Sequence, residues 1–158
     1  MFSFLLIFLL GIPLSVLLHE VGHALGVILF TKKEAHVYLG PANDKNIENF
    51  RIGRIHFHII WAHSGFCFVK NESDLSRFSN IMYSAGGPLV SLLLVVISHL
   101  VTTNLTNFSI NNFFTGLFYA NLAMFIFTIL PIAYPNWLKP YAGRYSDGYY
   151  ILKAIKAK

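Results

Sequence analysis

The residues whose types and spacing could do chemistry lie in one pentapeptide, His19-Glu20-Val21-Gly22-His23. On a helix, side chains four apart stand one turn above the other on a single face. Two imidazoles so placed can close on one zinc ion, with the intervening glutamate beside the metal's water. The pentapeptide sits inside an otherwise apolar run, residues 2–30. An ionisable side chain at mid-bilayer costs about 2.5–3.5 kcal/mol on insertion scales, so Glu20 at that depth needs a counter-charge. A bound dication supplies one. The competing account is a chance match on a hydrophobic helix, and the membrane setting weighs against it.

The elements that position these residues are themselves membrane elements. Of 158 residues, 55% are apolar and 12% charged, against about 45–50% and 25% in soluble domains. The length accommodates one membrane-embedded domain, residues 1–158. The formal charge of +5 does not form a helical stripe or dense run, so no nucleic-acid partner is expected; the bilayer is. One cysteine, Cys67, excludes an intrachain disulfide framework and any zinc site built on several thiolates. The apolar N-terminal run lacks a basic head and a small-residue cleavage site, and is expected to be retained rather than cleaved as a leader.

Residues 2–30 would reach about 43 Å as one helix, against a hydrocarbon core of about 30 Å. Gly11 and Pro13 offer a break. The expected metal-bearing helix is therefore 14–30, with residues 1–10 a kinked extension or a separate short segment. Beyond Lys32-Lys33, the runs 35–39, 50–61 and 65–69 alternate or are β-branched around a polar turn at 41–49, which predicts a small antiparallel sheet at the membrane surface. His56 and His58 share a strand face there, either as surface histidines or as metal ligands. An exposed sheet edge could also pair with an extended substrate.

A second span is expected over 78–101, opening on Ser84-Ala85-Gly86-Gly87-Pro88 and Ser91, small residues that permit a close helix crossing. An uncharged connector over 102–112 leads to a third span over 113–132, where Asn121 and Thr128, seven apart, form a polar stripe. Pro131, Pro135 and Pro140 then break the helix, and Ser146-Asp147-Gly148 precedes a short apolar helix over 149–155. The expected fold class is an all-α integral membrane protein with three core spans and the small sheet between the first two.

Lys and Arg concentrate in 31–77 and in the C-terminal tail, with none in 102–112. The positive-inside rule then puts the sheet and the C-terminus in the cytoplasm, with a bacterial cell membrane the expected location, and the connector outside. His23 lies about 14 Å along a helix from Lys32, and Pro88 about 16 Å from Arg77, so both motifs share a level.

Catalytic zinc takes three protein ligands and keeps a position for water. Beyond His19 and His23, the third could be His36, His56, His58, His63 or a carboxylate; His99 is too far along the second span. Asp147 stands out because it precedes a glycine and an apolar run with few charges nearby. It is either an N-cap for the last helix or a ligand. Charge accounting favours the ligand, since Zn²⁺ with two carboxylates is formally neutral.

With these residues in place, the chain resembles the site-2 protease family of intramembrane zinc metalloproteases. The resemblance rests on His19-Glu20-Val21-Gly22-His23-Ala24-Leu25, on Gly87-Pro88, and on Asn121 to Pro131 leading to Asp147-Gly148, and covers essentially the whole chain as a minimal core form. It implies one Zn²⁺ per chain held by His19, His23 and Asp147, with Glu20 as general base. Fifteen residues separate Pro131 from Asp147, more than the family's usual short Pro-rich link; Ser91 and Thr128 stand where the family carries asparagines. Asn121, Thr128 and Ser91 are expected to position substrate. The expected function is a zinc-dependent endopeptidase acting on a membrane-spanning or membrane-associated peptide. Two others compete: a catalytically weak, zinc-stabilised membrane module that binds peptides or proteins, and a metal-handling protein using His36, His56, His58 and His63.

Overall fold

The structure is a computed structural model describing residues 2–157. Met1, at the head of the expected 1–10 segment, lies outside the described residues. The chain begins as one helical rod: α1 (Phe2–Leu6), a π-helical stretch (Ile7–Gly11) and α2 (Ile12–Ile28). Gly11 and Pro13 therefore do not separate a first segment, and the span runs Ser3–Ile28. The physical reason is local. Pro13 has no N–H for the carbonyl one turn earlier, and a π-stretch also loosens the ladder. The Phe8 carbonyl accepts from His63 Nε2 at 2.8 Å and the Leu9 carbonyl from Trp61 Nε1 at 2.8 Å. His63, one candidate third ligand, is occupied there.

Four strands follow: β1 (Ala35–Leu39), β2 (Phe50–Ile52), β3 (Ile55–Ile59) and β4 (Gly65–Val69). The expected single run over 50–61 is a hairpin, turning at Gly53 in the left-handed region. The sheet order is β2-β3-β1-β4. β1 pairs with β4 antiparallel and with β3 parallel. The sheet is therefore mixed, not antiparallel, and the protein is not purely all-α. The 40–49 segment crosses one end of the sheet past the place of β3, β2 runs back at the edge, and the turn at Gly53 brings β3 in between, parallel to β1.

Nor does the sheet stand beyond the end of α2. Ala35, Val37 and Leu39 are fully buried, and Ala35 and Val37 join Ala24 and Val27 in one apolar cluster. Burying each Val or Leu contributes about 1.5–3 kcal/mol, enough to lay β1 along the helix. Arg54 completes the join by donating to the carbonyl of Ile28, at the open end of α2, and to that of Thr31 just beyond it.

Two further span-length helices follow, α3 (Arg77–Asn104) and α4 (Phe108–Ile129), then α5 (Asp147–Lys156). Each starts at a residue whose side chain accepts a backbone N–H: Ser76 for α3, Asn107 for α4, Ser146 for α5. The Asn107 cap moves the start of the third span to Phe108, so most of the connector expected over 102–112 is helical.

α2 and α3 cross at Gly22 and Gly86, where a Cβ on either would strike the other's backbone. The segment 131–146 is stapled to the end of α4. Ser146 Oγ donates to Leu130 O at 2.5 Å, Ile132 N–H donates to Ser146 Oγ at 3.1 Å, and Ala133 bridges Tyr145. The long connection thus folds back and delivers α5 against α3.

Candidate metal centre

α2 presents His19 and His23 towards α3 and Glu20 towards β4, all buried. The two Nε2 atoms lie 3.2 Å apart. Asp147, the first residue of α5, sets Oδ2 3.4 Å from His19 Nε2 and Oδ1 3.5 Å from His23 Nε2. Ser146 caps α5, so the Asp147 carboxylate is left to face the histidines. Of the two tasks expected for Asp147, the cap belongs to Ser146, and the Asp147 carboxylate stands beside both histidines.

The other face of each imidazole is held by α3. His23 Nδ1 is 2.7 Å from the Tyr83 carbonyl, and His19 Nδ1 is 2.8 Å from Ser91 Oγ. A carbonyl only accepts, so neutral His23 carries its proton on Nδ1 and turns a bare Nε2 inward. Such outer partners are what metal-bound imidazoles use to fix orientation. Donor atoms sharing one tetrahedral Zn²⁺ stand about 3.3 Å apart, close to the separations here. Gly87 supplies the space, since a Cβ there would fall upon both Nε2 atoms. Among the described residues, His19, His23 and Asp147 form a group able to hold a metal ion. By donor chemistry, spacing and cradle, the residues fit zinc.

A cavity of about 430 Å³ opens onto this cluster. Glu20 lines it beside the histidines, with Gly65, Phe66, Cys67 and Phe68 of β4 as one wall. Tyr134, Tyr141 and Arg144 of the 131–146 segment form another. Gly65 lets β4 approach Glu20, because a Cβ there would meet the glutamate side chain and Val16. β4 is an edge strand. Its Gly65 N–H donates to Tyr141 Oη at 3.0 Å, and its Cys67 carbonyl accepts from Tyr83 Oη at 2.6 Å.

The expected positioning residues separate. Thr128 lines the cavity and its hydroxyl bonds back to Met124 O at 2.9 Å. Ser91 holds His19. Asn121 is fully buried, with Nδ2 donating to Ser15 Oγ at 3.0 Å, one turn before His19, and Oδ1 without a partner. It ties α4 to α2. His36, His56 and His58 lie on the sheet away from this cluster, and His99 packs on Phe118. Tyr83, Tyr141 and Arg144 carried no signal in the sequence, since none belongs to a spaced motif.

No family model and no solved structure matches the chain. Over 156 residues, covering 99% of the chain and 91% of the relative, it is 28% identical to the uncharacterized membrane protein YwmF of Bacillus subtilis (strain 168). That likeness and, among the described residues, three helices long and apolar enough to cross a bilayer identify a membrane protein.

Proposed function

We propose that the chain is a zinc-dependent intramembrane endopeptidase of the site-2 protease type, cleaving a membrane-spanning or membrane-associated peptide. The observation that carries this reading is the Asp147 carboxylate, 3.4 and 3.5 Å from two imidazole nitrogens that are 3.2 Å from each other, next to a buried glutamate. His19, His23 and Asp147 would hold the ion. When bound, zinc supplies Lewis acidity and a water whose pKa lies near about 7. Glu20 accepts the water's proton on its carboxylate and delivers it to the leaving amine. Ser91 and the Tyr83 carbonyl keep both histidines aimed. The β4 edge orients an extended peptide along the cavity, its Gly65 amide passing from Tyr141 to the substrate backbone. In this reading the sheet and C-terminus face the cytoplasm, following the basic residues.

A second reading, a zinc-stabilised module that binds a peptide or protein without cutting it, draws on the Tyr141 hydroxyl at the Gly65 amide. One experiment separates them. Purified chain is reconstituted with zinc and a model transmembrane substrate, and cleavage is compared with Glu20→Gln. Loss of about 10²–10⁴ in rate with zinc retained is expected for a general base. Unchanged cleavage would sink the protease reading, and no cleavage by the wild-type chain, with the peptide still bound, would favour the second.

A further inference from the structure

Among the described residues, Arg144 is the one lysine or arginine that lines the cavity over His19, Glu20 and His23. Its backbone is fixed. The Arg144 N–H donates to the Tyr141 carbonyl at 2.9 Å and its carbonyl accepts from Tyr134 at 2.8 Å, closing a turn in which Gly143 takes the left-handed region. The guanidinium lies 4.4 Å over the Phe66 ring and 5.9 Å from that of Phe68. Both rings project from one face of β4, because side chains two apart on a strand share a face. Stacking holds the plane of a guanidinium and leaves the N–H groups round its edge to other partners. Arg54 and Arg77 donate theirs to backbone carbonyls. The Arg144 side chain is exposed at the cavity mouth, and it makes no hydrogen bond or ion pair among the described residues.

We propose that Arg144 selects substrates with an acidic side chain opposite Phe66, within about two residues of the bond to be cut, a reading that rests on the peptidase assignment above. Gly65 is the β4 residue that stands against Glu20, so the reacting peptide bond lies at its level. A peptide paired with the β4 edge extends the sheet, and side chains directly opposite each other across two strands have Cβ atoms about 4.5–5.5 Å apart. The side chain opposite Phe66 therefore stands on the face that carries the guanidinium, and its chain neighbours point to the other face. A carboxylate there matches the planar fork with two parallel hydrogen bonds. Glu72 decides between the two phenylalanines. It lies beyond the Val69 end of β4 and lines the same cavity, so it repels an anion placed opposite Phe68. The guanidinium is also nearer Phe66. Glu20 and Asp147 do not oppose an acidic substrate when zinc is bound, since Zn²⁺ with two carboxylates is formally neutral. A merely solvated cation accounts for the charge of Arg144, but not for its seat on two rings of the strand beside Glu20.

The test uses the full chain in detergent, loaded with zinc, and model transmembrane peptides carrying a single glutamate or glutamine at successive positions through the cleaved region. Affinity is read with Glu20→Gln and kcat/KM with the wild-type chain. Glutamate should be preferred over glutamine at one position near the cut by about fivefold, as for a strong exposed ion pair. Arg144→Gln should erase that difference, and Arg144→Glu should turn it in favour of a lysine peptide. An equal preference in wild type and Arg144→Gln, or none in wild type, overturns the proposal. The two readings fail separately. A glutamate preference in Kd without cleavage keeps the selection and sinks the peptidase assignment; cleavage without preference does the reverse, and neither binding nor cleavage of any peptide overturns both. Should the Arg144 variants not fold, the wild-type chain still decides. Salt at about 1 M, where the Debye length is about 3 Å, should remove most of the preference, and a preference unchanged by salt overturns the proposal.

Discussion

The Nδ1 atom of His19 lies 2.8 Å from the hydroxyl oxygen of Ser91, a contact closed across 72 residues of sequence. It makes α3 a partner in aiming a side chain that belongs to α2. Ser91→Ala removes the hydroxyl at a fully buried position. Zinc affinity should fall about 10–100-fold, the range for losing an outer partner of a metal-bound histidine. Competition with a chromophoric chelator measures it, and an unchanged affinity means that Ser91 does not orient His19.

Gly87→Ala tests the cradle. Alanine favours a helix over glycine by about 1 kcal/mol, so α3 should keep its helicity by circular dichroism. The added Cβ falls where the two Nε2 atoms meet, so the variant should fail to retain zinc through gel filtration. Retention at wild-type stoichiometry would show that the histidines can retreat.

Asp147→Asn keeps the size of the side chain and leaves the Ser146 cap in place. As a direct ligand, the carboxylate should matter at least as much as an outer partner, so a loss of about 100-fold or more in zinc affinity is expected. A weaker effect would reduce Asp147 to a helix-terminal charge.

Tyr141→Phe frees the Gly65 amide at the edge of β4. A hydrogen bond of about 1 kcal/mol, once removed, shifts the edge towards an incoming peptide about fivefold. The KM for an extended substrate should fall by up to that factor with kcat little changed. A raised KM would mean that the hydroxyl contacts substrate instead of competing with it.

The 40–49 segment should loosen in acid. The hydrogen bond from His56 is the largest influence holding the Glu48 pKa below its ordinary value of 4.5. A carboxylate with a depressed folded pKa contributes stability above its unfolded pKa and loses it as pH falls through the folded one. Amide exchange across 41–49, corrected for intrinsic rates, should therefore speed up only below about pH 4.5. Acceleration already at neutral pH would exclude the Glu48 contact as its cause.

Much of this arrangement was legible in residue order. The His19–His23 spacing and the apolar runs specify local geometry, so α2 and α3 lie close to their expected places. Ala35–Leu39 alternates as a half-buried strand must, whereas Gly65–Val69 is a continuous apolar run buried at every position but Phe68. Asp147 was legible as a choice between two tasks; that Ser146 takes one of them is a matter of a single hydroxyl. What residue order did not carry is partnership at a distance. The parallel pairing of β1 with β3 depends on which strand the hairpin claims. The start of α4 was hidden because its first turn, from Phe108, follows the Asn- and Thr-rich stretch at 102–107 and reads as connector. Ser91 and Asn121 looked alike as small polar groups on apolar helices, yet one holds a histidine and the other joins two helices.

The bonds from Trp61 and His63 to the carbonyls of Leu9 and Phe8 bear on the lipid itself. Those carbonyls stand about 30 Å along the rod from Ile28, so the turn between β3 and β4 reaches towards the N-terminal end of this span-length helix. Backbone that is not helical survives at such depth only against protein or water. Acyl chains therefore cannot encircle α2 as an even annulus. The flank of α2 on which the sheet stands is covered by protein and closed to acyl chains.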